Sequence, residues 1–347
     1  MTVHFVLPGG VDDPASPSGG NLYDRRVIDA LRSPHLAHSP HLPPSVHEIV
    51  VPGTWPQPEP AARSALNRAL GDLADGSVVV LDGLVACGVP DVVVPHADRL
   101  RLVVLVHLPL ADETGLPPTL AARLDTAERE VLRAAHAVVA TSPSAARRLT
   151  SHHGLARVHV VAPGTDPAPP AVGTDGASRL LCVASLTPRK GHDVLVRALA
   201  SVTDLSWTCA FVGPERWPVR DLVDRHGLGS RIELLGPLSG PALDHTYATA
   251  DLFVLASLAE TYGMVVTEAL ARGVPVVASA VPDALGDGGV LLPAGDVTAF
   301  AEALRRWLTD DEWRRDLRGR AFARRRELST WDETAAGLAA VLASLPT

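Results

Sequence analysis

Leu252-Phe-Val-Leu-Ala-Ser-Leu-Ala-Glu260-Thr-Tyr-Gly263-Met-Val-Val-Thr-Glu268-Ala-Leu-Ala-Arg-Gly273-Val-Pro-Val-Val-Ala278 reads as a strand, a polar turn, a helix and a second strand. The apolar run Leu252 to Ala256 is too short for a buried helix and suits a strand covered on both faces. A helix starts near Gly263, and the run Pro275 to Ala278 follows it closely. Two strands joined through a helix lie parallel, so this stretch predicts a β-α-β unit and a parallel sheet.

The same alternation extends outward in both directions. Strands are expected at Val3 to Leu7, Val46 to Val51, Ser77 to Leu81, Arg101 to Val106, Ala137 to Thr141 and Val158 to Val161. A second series covers Arg179 to Ala184, Trp207 to Val212, Arg231 to Leu235, Leu252 to Ala256, Pro275 to Ala278 and Gly289 to Leu292. Between the series, residues 162–176 are rich in Pro, Gly and Asp, as a linker is. The expected class is α/β, with two Rossmann-like, doubly wound parallel-sheet domains: 1–163, a linker at 164–178, and 179–326. Such sheets bind ligands at the carboxyl ends of their strands, here in a cleft between the two domains. Candidate residues are therefore sought just after strands.

Composition narrows the partners. Net charge is −8, so a basic nucleic-acid-binding face is not expected. Cys87, Cys182 and Cys209 form no C-x-x-C pair and read as reduced core thiols, which suits a cytoplasmic protein. Val3 to Leu7 is apolar from the outset, without the charged leader of a signal peptide, and no apolar run reaches the length of a membrane span. A peripheral membrane contact is left open by Arg314, Arg315, Arg318, Arg320 and Arg324 to Arg326, which are expected mainly to pair with Asp310, Asp311, Asp316 and Glu327 on a solvated helix face. His35, His38, His41 and His47 stand irregularly among prolines and read as an exposed loop, not a metal cage.

Of 31 basic residues only Lys190 is lysine, in the loop Ser185-Leu-Thr-Pro-Arg-Lys-Gly191 between a strand and a helix. A compact ammonium meets a phosphate oxygen as a point charge, and a glycine-bearing loop at a helix start is an anion site. Seven residues separate Glu260, on the turn, from Glu268, on the helix. Gly263, Met264 and Val265 present helix-start N–H groups to an anion, and Glu268 can accept hydrogen bonds from vicinal hydroxyls. His107 follows the strand Arg101 to Val106, where an imidazole can donate a hydrogen bond or work near neutral pH. Gly19 and Gly20 precede a helix that Ser18 or Asn21 can cap, and they let the backbone approach a ligand. They do not form the G-x-G-x-x-G pattern of dinucleotide binding.

Taken in order, Gly19-Gly20, His107, Ala162-Pro-Gly-Thr-Asp166, Pro188-Arg-Lys-Gly191, Leu235-Gly236, the E-x7-E of Glu260 and Glu268, Ala271-Arg-Gly-Val-Pro-Val-Val277 and Trp331-Asp332 resemble a retaining glycosyltransferase of the GT-B fold, of glycosyltransferase family four. The resemblance covers nearly the whole chain. It implies that Lys190 meets the diphosphate of a nucleotide-sugar donor, UDP- or GDP-linked, and Glu268 its ribose hydroxyls. Glu260 with Gly263 to Val265 would hold the sugar and distal phosphate, Gly19 and Gly20 would approach the diphosphate, and His107 would contact the sugar. The base would be read near Gly213 and Leu235 to Pro237, and residues 327–347 would form a helix returning to the N-terminal domain.

One departure stands out. Where the family has Gly-Arg-Leu, this chain has Ala184-Ser185-Leu186, so one diphosphate cation is missing; either Arg189 or an arginine from elsewhere replaces it, or the donor geometry is altered. No D-x-D occurs, which predicts a metal-independent reaction with no cofactor, the leaving group being stabilised by cations and helix N-termini. The acceptor, a small molecule or a lipid, is not named by the letters; its selection is expected in the loops 12–18, 33–45 and 111–118. A sugar-nucleotide epimerase or hydrolase, or a non-catalytic sugar-nucleotide-binding protein, are the competing readings on the same scaffold.

Overall fold

The computed structural model describes residues 2–13, 18–33, 43 and 45–346. Twelve strands form in chain order: β1 Thr2–Pro8, β2 Ser45–Val51, β3 Val78–Asp82, β4 Arg101–Val106, β5 Ala137–Ala140, β6 His159–Val160, β7 Arg179–Val183, β8 Thr208–Val212, β9 Ile232–Gly236, β10 Leu252–Leu255, β11 Val276–Ser279 and β12 Gly289–Leu292. They make two six-stranded sheets, ordered β2-β1-β3-β4-β5-β6 and β12-β11-β10-β7-β8-β9. Every pairing is parallel. Helices follow most strands, so inner strands are buried on both faces and read as unbroken apolar runs; all five residues of β3 are buried.

The chain divides into two compact units, one of Met1–Gly164 with Ser329–Thr347 and one of Thr165–Leu328. In the first, one core lies around Val79, Leu81, Val104, Leu124 and Val138. The other lies around Phe5, Tyr23, Val27, Val80 and Leu105, together with Ala335, Leu338 and Leu342 from the Trp331–Ala343 helix. That helix starts with a capping box in which the Thr330 side chain accepts from the Glu333 N–H and Glu333 accepts from the Thr330 N–H. In the second unit one core surrounds Phe211, Phe253, Phe300 and Trp307.

Residues 171–179 are tied to the second unit. Asp251 accepts from the N–H groups of Thr174, Gly176 and Arg179 at 2.9, 3.1 and 3.0 Å and from the Thr174 hydroxyl at 2.6 Å. The arginines of the Asp311–Arg325 helix depart in part from the expected solvated face. Arg314 pairs with Asp311, Arg320 with Asp316 and Arg324 with Glu327, as expected, but Arg318 donates to the Gly176 carbonyl, Arg320 also to those of Asp287 and Gly289, and Arg325 to those of Ala168 and Ala271. A guanidinium carries five donors, enough to satisfy carbonyls at strand and helix ends. His35, His38 and His41 lie outside the described residues, while His47 sits in β2.

Candidate functional site

In the second sheet, β7 and β10 are neighbours although far apart in sequence, so the connections after them leave in opposite directions. That is the switch point where open α/β sheets bind ligands. The turn after β7 carries Arg189 and Lys190, and the turn after β10 carries Glu260. Lys190 Nζ donates to Glu260 Oε1 at 2.5 Å, and the Ser257 hydroxyl donates to the same oxygen at 2.8 Å. Arg189 Nη1 lies 3.6 Å from Glu260 Oε2 and donates to the Ala259 carbonyl at 3.1 Å. The Glu260 side chain is 8% exposed. Burial pushes its carboxyl pKa up, but Lys190 and Arg189 outweigh it, and the group stays below its ordinary value.

The backbone holds the Lys190 turn in place. Gly191 has φ +63°, and a Cβ there would lie 1.9 Å from the Ala256 carbonyl oxygen, so only glycine lets the two turns touch. Gly213 serves a similar purpose after β8, since its Cβ would meet the Ala184 carbonyl oxygen at 2.1 Å. Gly263, at φ +96°, is the N-cap of the Met264–Ala271 helix, and no side chain caps that helix. Its first-turn N–H groups, on Met264 and Val265 among others, face the role of anion donors. On the second turn, half-buried Glu268 accepts a 2.8 Å hydrogen bond on Oε2 from the Tyr247 hydroxyl. Tyr247 is fully buried, and burial followed by the Glu268 charge keeps its pKa well above the usual phenol value, so it remains a donor.

In the first unit β1 and β3 occupy the corresponding switch point, with β4 next to β3. His107, just past β4, has Nε2 2.8 Å from Asp24 Oδ1, on the Gly19–Leu31 helix. Asp24 and Asp82 are buried, and Asp82 Oδ1 accepts from the Leu84 N–H at 2.7 Å. Burial first, and the Asp24 charge second, raise the Asp82 pKa to about 7. Asp24 Oδ2 has no hydrogen-bond partner among the described residues, and a proton on neighbouring Asp82 would satisfy both carboxyls. Burial would lower the pKa of His107, yet Asp24 and Asp82 raise it, so the imidazole is charged more readily than a free one. Ligand atoms of Asp24, Asp82 and His107 lie within 4.8 Å of one another, close enough to hold a cation, but these internal bonds already match the group.

Gly20 stands over this histidine; a Cβ on it would come 2.9 Å from His107 Cδ2. Gly19 is exposed at the helix start, where Ser18 takes the N-cap position without a side-chain bond and Asn21 donates to the Gly10 carbonyl at 3.2 Å. Neither side chain makes the expected cap, because the Asn21 amide turns back to the loop after β1.

Residues 17–169 match the family described as Glycosyltransferase Family 4, and residues 177–310 match Glycosyl transferases group 1. D-inositol 3-phosphate glycosyltransferase 1 of Catenulispora acidiphila is 31% identical over 370 residues, covering 89% of this chain and 86% of that protein. The chain belongs to glycosyltransferase family 4. Among other relatives of this family 4 chain, D-inositol 3-phosphate glycosyltransferase of Thermobifida fusca is 30% identical over 244 residues, or 61% of this chain. That match spans only 56% of the relative's length. Among solved structures, sucrose-phosphate synthase from Thermosynechococcus elongatus superposes with TM-score 0.76 at 20% identity, covering 98% of both chains. HepE of Anabaena, in complex with UDP and glucose, gives TM-score 0.76 at 18% identity, covering 99% of this chain and all of that one. The fold of the family 4 chain is thus GT-B, two parallel-sheet Rossmann-like units with flanking helices.

The second unit of this family 4 chain brings together Arg189, Lys190 and Glu260, with Gly263 to Val265 and Glu268 on the helix that follows. The first unit brings Gly20 to His107. Reading by motif missed Asp24, Asp82, Ser257 and Tyr247. Asp82 had a signal, an acid directly after an apolar strand and before Gly83, whereas nothing in the letters ties Tyr247 to Glu268. The Cys182–His192 pair, 3.9 Å apart, is not a nucleophile: burial pushes the thiol up to about 12 and the imidazole down to about 4, the reverse of activation. No helix among the described residues is long and apolar enough to cross a membrane.

Proposed function

We propose that this chain transfers a hexosyl or related sugar from a nucleotide-sugar donor, UDP- or GDP-linked, to a hydroxyl of a small-molecule or lipid acceptor. We further propose that it does so with retention, without a metal on the diphosphate, and in the cytoplasm. The observation that carries the reading is the Arg189–Lys190–Glu260 group at the β7/β10 switch point, beside a helix start that no side chain caps. HepE in complex with UDP-glucose, of like fold, supports a UDP-sugar, and the inositol-phosphate relatives support a small polyol-type acceptor.

The chemistry follows from charge. As the bond to the anomeric carbon breaks, negative charge grows on the diphosphate and the sugar becomes oxocarbenium-like. Lys190 has three N–H donors and gives one to Glu260, so two can meet phosphate oxygens. Interactions that strengthen as charge develops lower the barrier more than they tighten ground-state binding. Retention follows if the acceptor attacks from the face the diphosphate leaves, its proton passing to a departing phosphate oxygen. Glu260, held by Lys190 and Ser257, orients the sugar and is not the nucleophile. Glu268, fixed by Tyr247, receives the ribose hydroxyls. Arg189 is turned to Ala259 and Glu260, so it supports this turn more than it replaces the missing arginine at Ser185.

Thermal stability against UDP-, GDP-, ADP- and TDP-sugars, with EDTA present, tests the reading. One nucleotide class should raise the midpoint of wild type and fail to raise that of Lys190→Ala. The anomeric configuration of the product, read by NMR, then tests retention. If no sugar nucleotide shifts the midpoint, the donor assignment is wrong.

A further inference from the structure

The first unit holds a pocket of about 280 Å³ that the donor and sugar residues leave unused. Its walls include Pro109, Asp112, Asp125, Arg148, His152 and His153. Asp125 comes from the Pro118–Ala134 helix, and the two histidines end the Pro143–His153 helix. Ligand atoms of Asp125, His152 and His153 lie within 4.8 Å of one another.

His153 supplies the second observation. It is 1% exposed, and its Nε2 lies 3.2 Å from Oε2 of the equally buried Glu128. The other Glu128 oxygen accepts from the Leu110 N–H at 3.2 Å. With the carboxylate accepting, Nε2 carries the hydrogen and Nδ1 is left with a bare lone pair. That Nδ1 is buried and has no hydrogen-bond partner among the described residues. A buried acceptor left unmatched is costly, and a cation in the pocket would remove the cost.

We propose that Asp125, His152 and His153 form a binding site for a divalent transition metal of the zinc type. Neutral imidazole with one carboxylate suits zinc, whereas magnesium and calcium prefer oxygen-rich sites. Glu128 behind His153 is the carboxylate that fixes the tautomer and orientation of a ligating histidine. The metal replaces the direct contact of His152 Nε2 with Asp125 Oδ1, while Asp125 Oδ2 keeps its 2.9 Å bond from Arg129. Three protein ligands leave a fourth position open to the pocket. The ion would join two helices beside the segment that carries Pro109 and Asp112, just after His107. This site uses none of the residues proposed to hold the donor diphosphate, so a metal-free transfer reaction and a metal here are compatible.

Tag-free protein, stripped with a chelator and dialysed, is titrated with Zn²⁺ and Mg²⁺ by calorimetry, and with Co²⁺ by visible absorption. The expected result is one saturable Zn²⁺ equivalent per chain, a tetrahedral Co²⁺ band and no Mg²⁺ binding. His152→Ala and Asp125→Asn should each weaken Zn²⁺ binding by at least about tenfold, and Glu128→Gln by roughly 10- to 100-fold as an outer partner. Should Glu128→Gln fail to fold, His152→Ala decides, because that side chain is 54% exposed. The proposal is overturned by absence of saturable Zn²⁺ binding, or by unchanged affinity in His152→Ala. It is equally overturned if affinity is lost only in His107→Ala or in a triple alanine variant of His35, His38 and His41, which would put the ion elsewhere.

Discussion

Gly191→Ala tests whether backbone contact alone fixes the Lys190 turn. Two costs arise. A non-glycine residue at φ +63° carries about 1–2 kcal/mol of left-handed strain. The added Cβ also lies 1.9 Å from the Ala256 carbonyl oxygen, and a main-chain oxygen cannot swing aside as a side chain does. Opening that contact requires the turns to part, an overpacking cost of about 1–3 kcal/mol. Together they give about 2–5 kcal/mol, or a fall in midpoint of roughly 4 to 20 °C for a unit of this size. Gly227→Ala separates the two costs, because Gly227 has nearly the same φ, +68°, with nothing within 4 Å of its Cβ. It should lose only the strain, about 1–2 kcal/mol. Urea and thermal melts of both variants, at one pH and protein concentration, measure the difference. A displacement of about 1 Å at Lys190 should further lower kcat/KM by about 10²-fold. Equal losses in the two variants would refute the reasoning, since the turn would then not be pinned against Ala256.

Three more outcomes follow from the same geometry. Lys190→Ala should lower kcat by about 10²- to 10³-fold and stability by about 1–3 kcal/mol; with Glu260→Gln it should form a strongly non-additive double-mutant cycle. Asp82 is held near 7 in the folded chain against the ordinary aspartate value of 3.8, so its stabilising proton is fully present below pH 3.8 and lost as pH rises through about 7. Wild-type stability should therefore decline between pH 5 and 8 more steeply than that of Asp82→Asn, whose amide donates to Asp24 at every pH; parallel urea curves across this range would contradict the shared proton. Tyr247→Phe removes the bond to Glu268 and should cost about 1–2 kcal/mol while raising the donor Kd more than it lowers kcat, which calorimetry with the donor and steady-state rates together measure.

The sheets were legible because inner parallel strands are buried on both faces. Val78–Asp82 and Leu252–Leu255 read as unbroken apolar runs, and each of the twelve expected strands lies within two residues of its observed ends. Lys190 and Glu260 were legible for a related reason: each follows a strand, and strand order brings them together. Asp24 was not, since Tyr23-Asp24-Arg25-Arg26 has the letters of a solvated helix face. Only the placement of the first helix against β4 turns that carboxylate inward to His107. The arginines near the C-terminus were legible only in part, their pairs with Asp311, Asp316 and Glu327 but not their carbonyl partners. Their charge suggested water, but their reach lets them find carbonyls at the ends of distant elements, which no local spacing encodes.

The first unit is discontinuous in sequence, and this sets an order of assembly. The second unit is one unbroken stretch, Thr165–Leu328, and all of it leaves the ribosome before the Trp331–Ala343 helix does. Phe5, Tyr23 and Val27, made before the second unit, wait through synthesis of all of it for Ala335, Leu338 and Leu342 to cover them. During that interval the nascent chain carries an open apolar face beside a sheet that is otherwise ready to close. Translation speed across residues 165–328 therefore governs how long a chaperone, or another nascent copy, has access to that face.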